Sequence, residues 1–149
     1  MIKVCIQVET GSQDKNIYDE KTLTYKETRQ VSQPYPYPYG FIIGTSAIDG
    51  DCEDCYIITH KNLEAGKIVD CEPIALLEQF EGEEIDHKVL ATMPGQEVAL
   101  DEKLLKELQD FIYAIFAAYP DININVGHIL PLEAALSYIQ AGRKSDHTS

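Results

Sequence analysis

Two short stretches of this 149-residue chain concentrate its acid. Asp49, Asp51, Glu53 and Asp54 fall within residues 49–54, and Glu78, Glu81, Glu83, Glu84 and Asp86 within 78–86. An acidic run is most often a solvated loop. Here, however, Asp49 and Asp51 straddle Gly50 in a tight turn, and Asp54 abuts the strand-like Tyr56-Ile57-Ile58. Carboxylates pressed together repel, and the arrangement becomes tolerable when a cation sits between them. Hard oxygen donors with little His or Cys support select Mg²⁺, or Mn²⁺, over zinc. Asp49-Gly50-Asp51 opens like an EF-hand loop, but the sixth position is Asp54 where Gly is needed and the twelfth is His60 where Glu is needed. One ion cluster built from both stretches is the better expectation. Such clusters handle phosphates, because the ion bridges phosphoryl oxygens and activates water.

The remaining chemistry-bearing residues form weaker patterns. Cys52 and Cys55 make a C-x-x-C, but one pair alone is a weak zinc signal because a structural site needs four ligands, with His60 and Cys71 imaginable as the other two. A redox pair would place the first Cys at a helix N-terminus, whereas this one leads into a strand. Reduced thiols in and beside a strand are the simpler reading. His60, His87, His128 and His147 show no partner pattern.

The elements that must position these groups follow from periodicity. Ile2, Val4, Ile6 and Val8 alternate with Lys3, Cys5 and Gln7, the period of a half-buried strand. Residues 18–25 suggest a short hairpin. Pro34, Pro36 and Pro38 alternate with Tyr35, Tyr37 and Tyr39, which makes that stretch extended and keeps it out of a central strand. It reads as a buried extended wall with its three tyrosines on one face, rather than as an exposed polyproline ligand. Further strands are expected over 55–59, 67–77 and 88–92. Leu104, Leu105, Leu108, Phe111, Ile112, Ile115 and Phe116 then recur at helical spacing, with Asp101 and Glu102 at the positive end and Pro120 past the stop. A second helix is expected from Pro131 to about Gln140, with residues 143–149 frayed. Strands followed by two helices give an α+β, mainly β, or small-barrel fold in one domain over 1–149.

Composition narrows the function. Twelve basic against 25 acidic residues give a net charge of −13, which repels phosphate backbones and anionic lipid, so neither nucleic acid nor a membrane is an expected partner. The N-terminus reads directly as a strand, with no apolar leader, and the expected location is cytoplasmic.

The residues then become recognisable. Tyr35-Pro36-Tyr37-Pro38-Tyr39-Gly40-Phe41-Ile42 follows a Y-P-x-[ND]-Y-G-[FY]-I pattern, and Asp49-Gly50-Asp51-Cys52-Glu53-Asp54-Cys55 follows D-[SGDN]-D-[PE]-[LIVMF]-D-[LIVMGAC]. Gly11-Ser12-Gln13-Asp14-Lys15 with Tyr18-Asp19, the run from Glu81 through Asp86 to Lys88, and Phe116 to Tyr119 complete the set. Over nearly its whole length the chain resembles the family I soluble inorganic pyrophosphatases. The resemblance implies an OB-like five-stranded closed β-barrel with two flanking C-terminal helices, Mg²⁺-dependent hydrolysis of pyrophosphate to two phosphates, and a homo-oligomer. By position, Asp49, Asp54, Glu81 and Asp86 would hold the metal. Asp51 would be the base for the attacking water. Lys15, Tyr39, Lys88 and Tyr119 would hold phosphate oxygens, with Lys15, Tyr39 and Lys88 acting in catalysis and Tyr35 helping to orient the acidic groups.

The chain also departs from the family pattern. Gln7 and Ile17 stand where the family writes active-site glutamates, Glu27 where it writes an arginine, and Pro120 where it writes a lysine. Lys26 and Arg29 lie close enough to Glu27 to supply the missing cation. Cys52 and Glu53 break the core signature. Two alternatives therefore stand beside the pyrophosphatase: an impaired relative that binds metal and a phosphate compound, and a hydrolase of another phosphoanhydride with a larger leaving group.

Overall fold

The computed structural model describes residues 1–46 and 50–147, with side chains described as far as residue 143. Five strands close into a ring: β1 (Ile2–Val8), β4 (Tyr39–Ile42), β5 (Asp54–Ile57), β6 (Ile68–Glu81) and β8 (Lys88–Thr92). The order is β1-β4-β5-β8-β6, and β6 returns to pair with β1. Closure depends on the length of β6. Its first residues pair with β1, as in Cys71 opposite Ile2, and its middle pairs with β8, as in Leu76 opposite Val89. The β5–β8 contact is parallel and the others in the ring are antiparallel. This mainly β ring with two C-terminal helices is the expected architecture.

Strand β4 passes so close to β1 that a Cβ on Gly40 would lie 2.0 Å from the Cys5 carbonyl oxygen. Only glycine allows this approach.

Two apolar clusters flank the ring strands. Cys55, Ile57, Val89 and Ala91 pack with Val4, Ile6 and Ile42 toward helix α2 (Leu132–His147), which contributes Ala135 and Ile139. The alternate residues Tyr56 and Leu90 pack with Leu77, Tyr35 and Tyr39 toward helix α1 (Glu102–Phe116), which contributes Leu104, Leu108, Phe111 and Ile112. Burial on both faces explains why β4 and β8 have no exposed position. Asp101 caps α1 by accepting the Leu104 N–H at 2.9 Å, as the acidic start of that helix predicts.

Outside the ring, β2 (Asp14–Tyr18) and β3 (Tyr25–Gln30) form a separate hairpin. The expected hairpin over 18–25 is displaced: most of those residues form the connection, and the arms lie on either side. The short β7 (Glu84–Ile85) and β9 (Ile124–Leu130) extend the far end of β6. Strand β9 went unread, although Ile122, Ile124 and Val126 alternate with Asn123 and Asn125. Gly127 cuts that alternation short, but Leu76, Leu77 and Gln79 to Glu81 of β6 pair with the strand regardless. Helix α2 continues to His147, past the Gln140 at which the pattern ends it and through much of the tail expected to fray. Among the described residues, no helix is long and apolar enough to cross a membrane.

Candidate active site

Two neighbouring cavities open where the hairpin, the acidic loop and the ends of β4, β5 and β8 meet. The larger, about 1170 Å³, is lined by Lys15, Arg29, Asp51, Asp54, Asp86 and the 18–21 turn. The smaller, about 320 Å³, is lined by Tyr35, Tyr39, Lys88, Tyr119 and the apolar side of α1. Lys15, Arg29, Asp54 and Asp86 line both.

Lys88, the first residue of β8, is buried, and its ammonium lies 2.7 Å from Asp54 Oδ2 and 3.2 Å from Asp86 Oδ2. Burial favours the neutral amine, but the two carboxylates outweigh it and push the pKa above the ordinary lysine value. Lys15 faces the opposite balance. Desolvation lowers its pKa, and neighbouring Lys88 and Arg29 add to that against the pull of Asp54 and Asp86. Both ammonium groups lie over the Tyr39 ring, at 5.6 Å and 6.0 Å from its centroid. Burial holds the Tyr39 hydroxyl well above the ordinary tyrosine value, so it remains a donor throughout the neutral range.

The tyrosine wall divides its work. Tyr35 and Tyr39 are buried with centroids 5.2 Å apart, and Tyr35 lies 4.6 Å from Phe111 of α1. Tyr37 does not share their role: its hydroxyl donates to Glu107 on the helix surface. Tyr119 lines the smaller cavity with half its surface exposed.

Of the residues singled out from sequence, Lys15, Tyr35, Tyr39, Asp51, Asp54, Asp86, Lys88 and Tyr119 line this pair of cavities. Asp49 lies outside the described residues. Glu81 ends β6 opposite Glu84 and Ile124 and lines neither cavity. Gln7 is buried in the larger cavity wall, with its Nε2 3.3 Å from the Asn16 carbonyl, and Ile17 lines the same wall. Arg29 sits directly across the hairpin from Lys15 and lines both cavities, whereas Glu27 lines neither and accepts from the Arg29 guanidinium at 2.7 Å. Lys26 lines the larger cavity as well, so both cations beside Glu27 reach the site, and Arg29 alone of the two lines both cavities.

Several cavity residues were given no site role by the sequence reading. Glu20 accepts the Cys52 N–H at 2.7 Å. Glu53 is 4% exposed, and its Oε2 has no hydrogen-bond partner. Burial, with Asp54 beside it, pushes the Glu53 carboxyl up to about 8. It sits against Gly142 of α2, where an added Cβ would lie 2.9 Å from Oε1. Tyr138 of α2 and His87 complete that side of the wall. Cys55 packs in the core beside Cys71 while Cys52 lines the cavity, so the C-x-x-C thiols occupy different environments.

The acidic side chains of the larger cavity are hard oxygen donors of the type that suits a divalent ion. Carboxylate oxygens of Asp51, Asp54, Asp86 and Glu20 line one cavity, and those of Asp54 and Asp86 already converge on a single cation, the Lys88 ammonium. Among the described residues, no three carboxylate, His or Cys side chains converge on one point.

Residues 4–145 match the family model described as inorganic pyrophosphatase. The inorganic pyrophosphatase of Halalkalibacterium halodurans is 31% identical, over 93% of this chain and 91% of its own. That of Nostoc is 30% identical over 87% and 80%. The crystal structure of the inorganic pyrophosphatase from Thermus thermophilus superposes with a TM-score of 0.86 at 26% identity, covering 97% of this chain and 90% of that one.

Proposed function

The chain belongs to the inorganic pyrophosphatase family, and on that premise we propose that this site hydrolyses inorganic pyrophosphate to two phosphates, with Mg²⁺, or Mn²⁺ in its place, as the working ion. The observation that carries the reading is the set Lys15, Arg29, Asp54 and Asp86, shared by both cavities. Cationic side chains for phosphate oxygens and carboxylates for metal meet there along one continuous surface.

Of the four carboxylates that the resemblance assigns to metal, Asp54 and Asp86 would hold the ions here, with Asp49 near Asp54 in sequence, while Glu81 lines neither cavity and is left out of the set. When bound, divalent ions acidify water and neutralise phosphoryl oxygens. Asp51 accepts the proton of the attacking water. The water oxygen bonds to one phosphorus, the bridging P–O bond breaks, and its electron pair leaves with the second phosphate. Lys88 and Lys15 offset the charge that grows on that leaving group. Tyr39 and Tyr119 donate to phosphate oxygens, and Tyr35, wedged between Tyr39 and Phe111, keeps the Tyr39 ring in place beneath the two ammonium groups.

The assay is phosphate release from pyrophosphate by the purified full chain, with Mg²⁺ and with EDTA. Release that requires Mg²⁺ and falls at least a hundredfold in Asp51→Asn, at unchanged thermal stability, is the expected result. Metal-independent release, or an unimpaired Asp51→Asn variant, would sink it.

A second reading, hydrolysis of a phosphoanhydride with a larger leaving group, is favoured by the apolar Phe111, Ile115 and Phe116 side of the smaller cavity and by the buried, unpartnered Gln79 Oε1 in its wall. A faster rate on an organic diphosphate such as ADP than on pyrophosphate would select it. The proposal extends to a cytoplasmic homo-oligomer. Leu132 and Leu136, one turn apart on α2, are 40% and 48% exposed and give that helix an uncovered apolar side.

A further inference from the structure

Strand β6 carries a polar side chain where its own period asks for an apolar one. Ala75, Leu77 and Gln79 stand at alternate positions, and the first two are wholly buried in the cluster packed toward α1. Gln79 is buried as deeply, at 1% exposure. Its backbone is satisfied: the N–H donates to His87 Nδ1 at 3.0 Å, and the carbonyl accepts the Asp86 N–H at 2.9 Å. Its side-chain Oε1 has no hydrogen-bond partner. A buried amide oxygen left unpaired is unfavourable, and a methionine or leucine in its place would carry no such penalty.

Gln79 lines the smaller cavity, which at about 320 Å³ is of the size that holds a small organic ligand. Lys15, Arg29, Asp54 and Asp86 border it on the side shared with the larger cavity. Much of the remaining lining is apolar and aromatic, with Phe111, Ile115 and Phe116 of α1 beside Tyr35 and Tyr56. Pyrophosphate gains nothing from that part, because charged oxygen loses water against apolar surface at a cost. A flat heterocycle gains twice: its faces are buried among aromatic rings, and an N–H on its edge satisfies Oε1.

We infer that the smaller cavity is a subsite for the base of a nucleoside diphosphate, with Gln79 Oε1 accepting an N–H from the edge of the ring. The inference deepens the reading with a larger leaving group, and rests on it in placing the phosphates at the residues shared by the two cavities.

The test is calorimetric binding, in Mg²⁺, of the α,β-methylene analogues of ADP, GDP and UDP, whose bridge cannot be hydrolysed. Methylenediphosphonate, with the same bridge and no nucleoside, is the reference. The quantity read is the preference, a ratio of two affinities, which a loss of phosphate grip common to both ligands does not move. The parent should prefer at least one analogue by about tenfold, and Gln79→Met should remove most of that preference without lowering the melting temperature. Ile115→Trp, which fills the apolar side, should remove it by a separate route. A parent that binds methylenediphosphonate but shows no preference would overturn this inference alone, as would variants that keep the preference. A parent that binds none of the four ligands would overturn the phosphate site together with the subsite. Preferential binding without any hydrolysis of ADP would overturn the larger-leaving-group reading and leave the subsite standing.

Discussion

The active-site cavity has two walls of different construction. One comes from the ring: Tyr39, Asp54 and Lys88 open three strands whose residues are almost wholly buried. The other comes from the β2–β3 hairpin and its connection, where every residue of β3 is exposed. Two of the departures from the family pattern, Ile17 and Glu27, fall on the hairpin, while the Asp54–Lys88–Asp86 group on the ring side is intact. Removing one member of a buried ion group strands the rest in low dielectric and costs several kcal/mol. An exposed pair such as Arg29–Glu27 contributes less than about 1 kcal/mol, so its members can be exchanged or re-registered cheaply. Charge on the ring is held by burial, whereas charge on the exposed hairpin can be exchanged between neighbouring positions at little cost.

The largest effect expected from this contrast is at Lys88. Lys88→Met removes the buried ammonium and leaves Asp54 and Asp86 facing each other, destabilising the metal-free chain by about 3–5 kcal/mol in denaturant unfolding. Added Mg²⁺ should restore part of that loss, since a ligand of the folded state stabilises it. A variant as stable as its parent in EDTA would break the comparison. On the hairpin, Arg29→Ala should raise KM for pyrophosphate about tenfold, the worth of one charge-assisted contact, while leaving unfolding nearly unchanged. An unaltered KM would return the cationic role to Lys26.

Glu53 tests the ring side through pH. Its carboxyl is raised to about 8 from an ordinary 4.5, so between those values the folded chain holds a proton that the unfolded chain releases. Stability from this group is therefore complete below about pH 4.5 and is lost as pH rises through 8. In EDTA, Glu53→Gln should match its parent near pH 4 and exceed it at pH 9; parallel stability curves would show that the carboxyl titrates normally. The smallest effect is Glu27→Ala, expected within about 1 kcal/mol in unfolding, and a larger loss would mean that the hairpin is braced by that ion pair.

How much could be read in advance follows the same division. Strands β1 and β8 and helix α1 were legible because their apolar residues recur at the period of one local element. The Asp51, Asp54 and Asp86 carboxylates were legible because crowded acid beside a strand is chemically unusual. Glu20 was not, and Arg29 was legible only as one of two cations beside Glu27. Each is an ordinary charged residue in a polar stretch, and only the hairpin's docking against the acidic loop brings it to the cavity. Glu53 was read as charge out of place, but its burial depends on Gly142, distant in sequence, having no side chain to occupy the space.

Composition and spacing alone determined that the chain is strongly acidic, that it carries hard-oxygen chemistry suited to phosphate, and that most of its strands precede two helices, between which the unread β9 falls. These are properties of residue type and of local period, which act within a few residues. The tertiary structure decided that β6 closes the ring by pairing with both β1 and β8, that Lys88 is gripped by carboxylates from two different segments, and that Glu20 accepts the Cys52 N–H of the acidic loop. Periodicity reports that a face is buried but not which partner buries it, and the partners here lie far away along the chain.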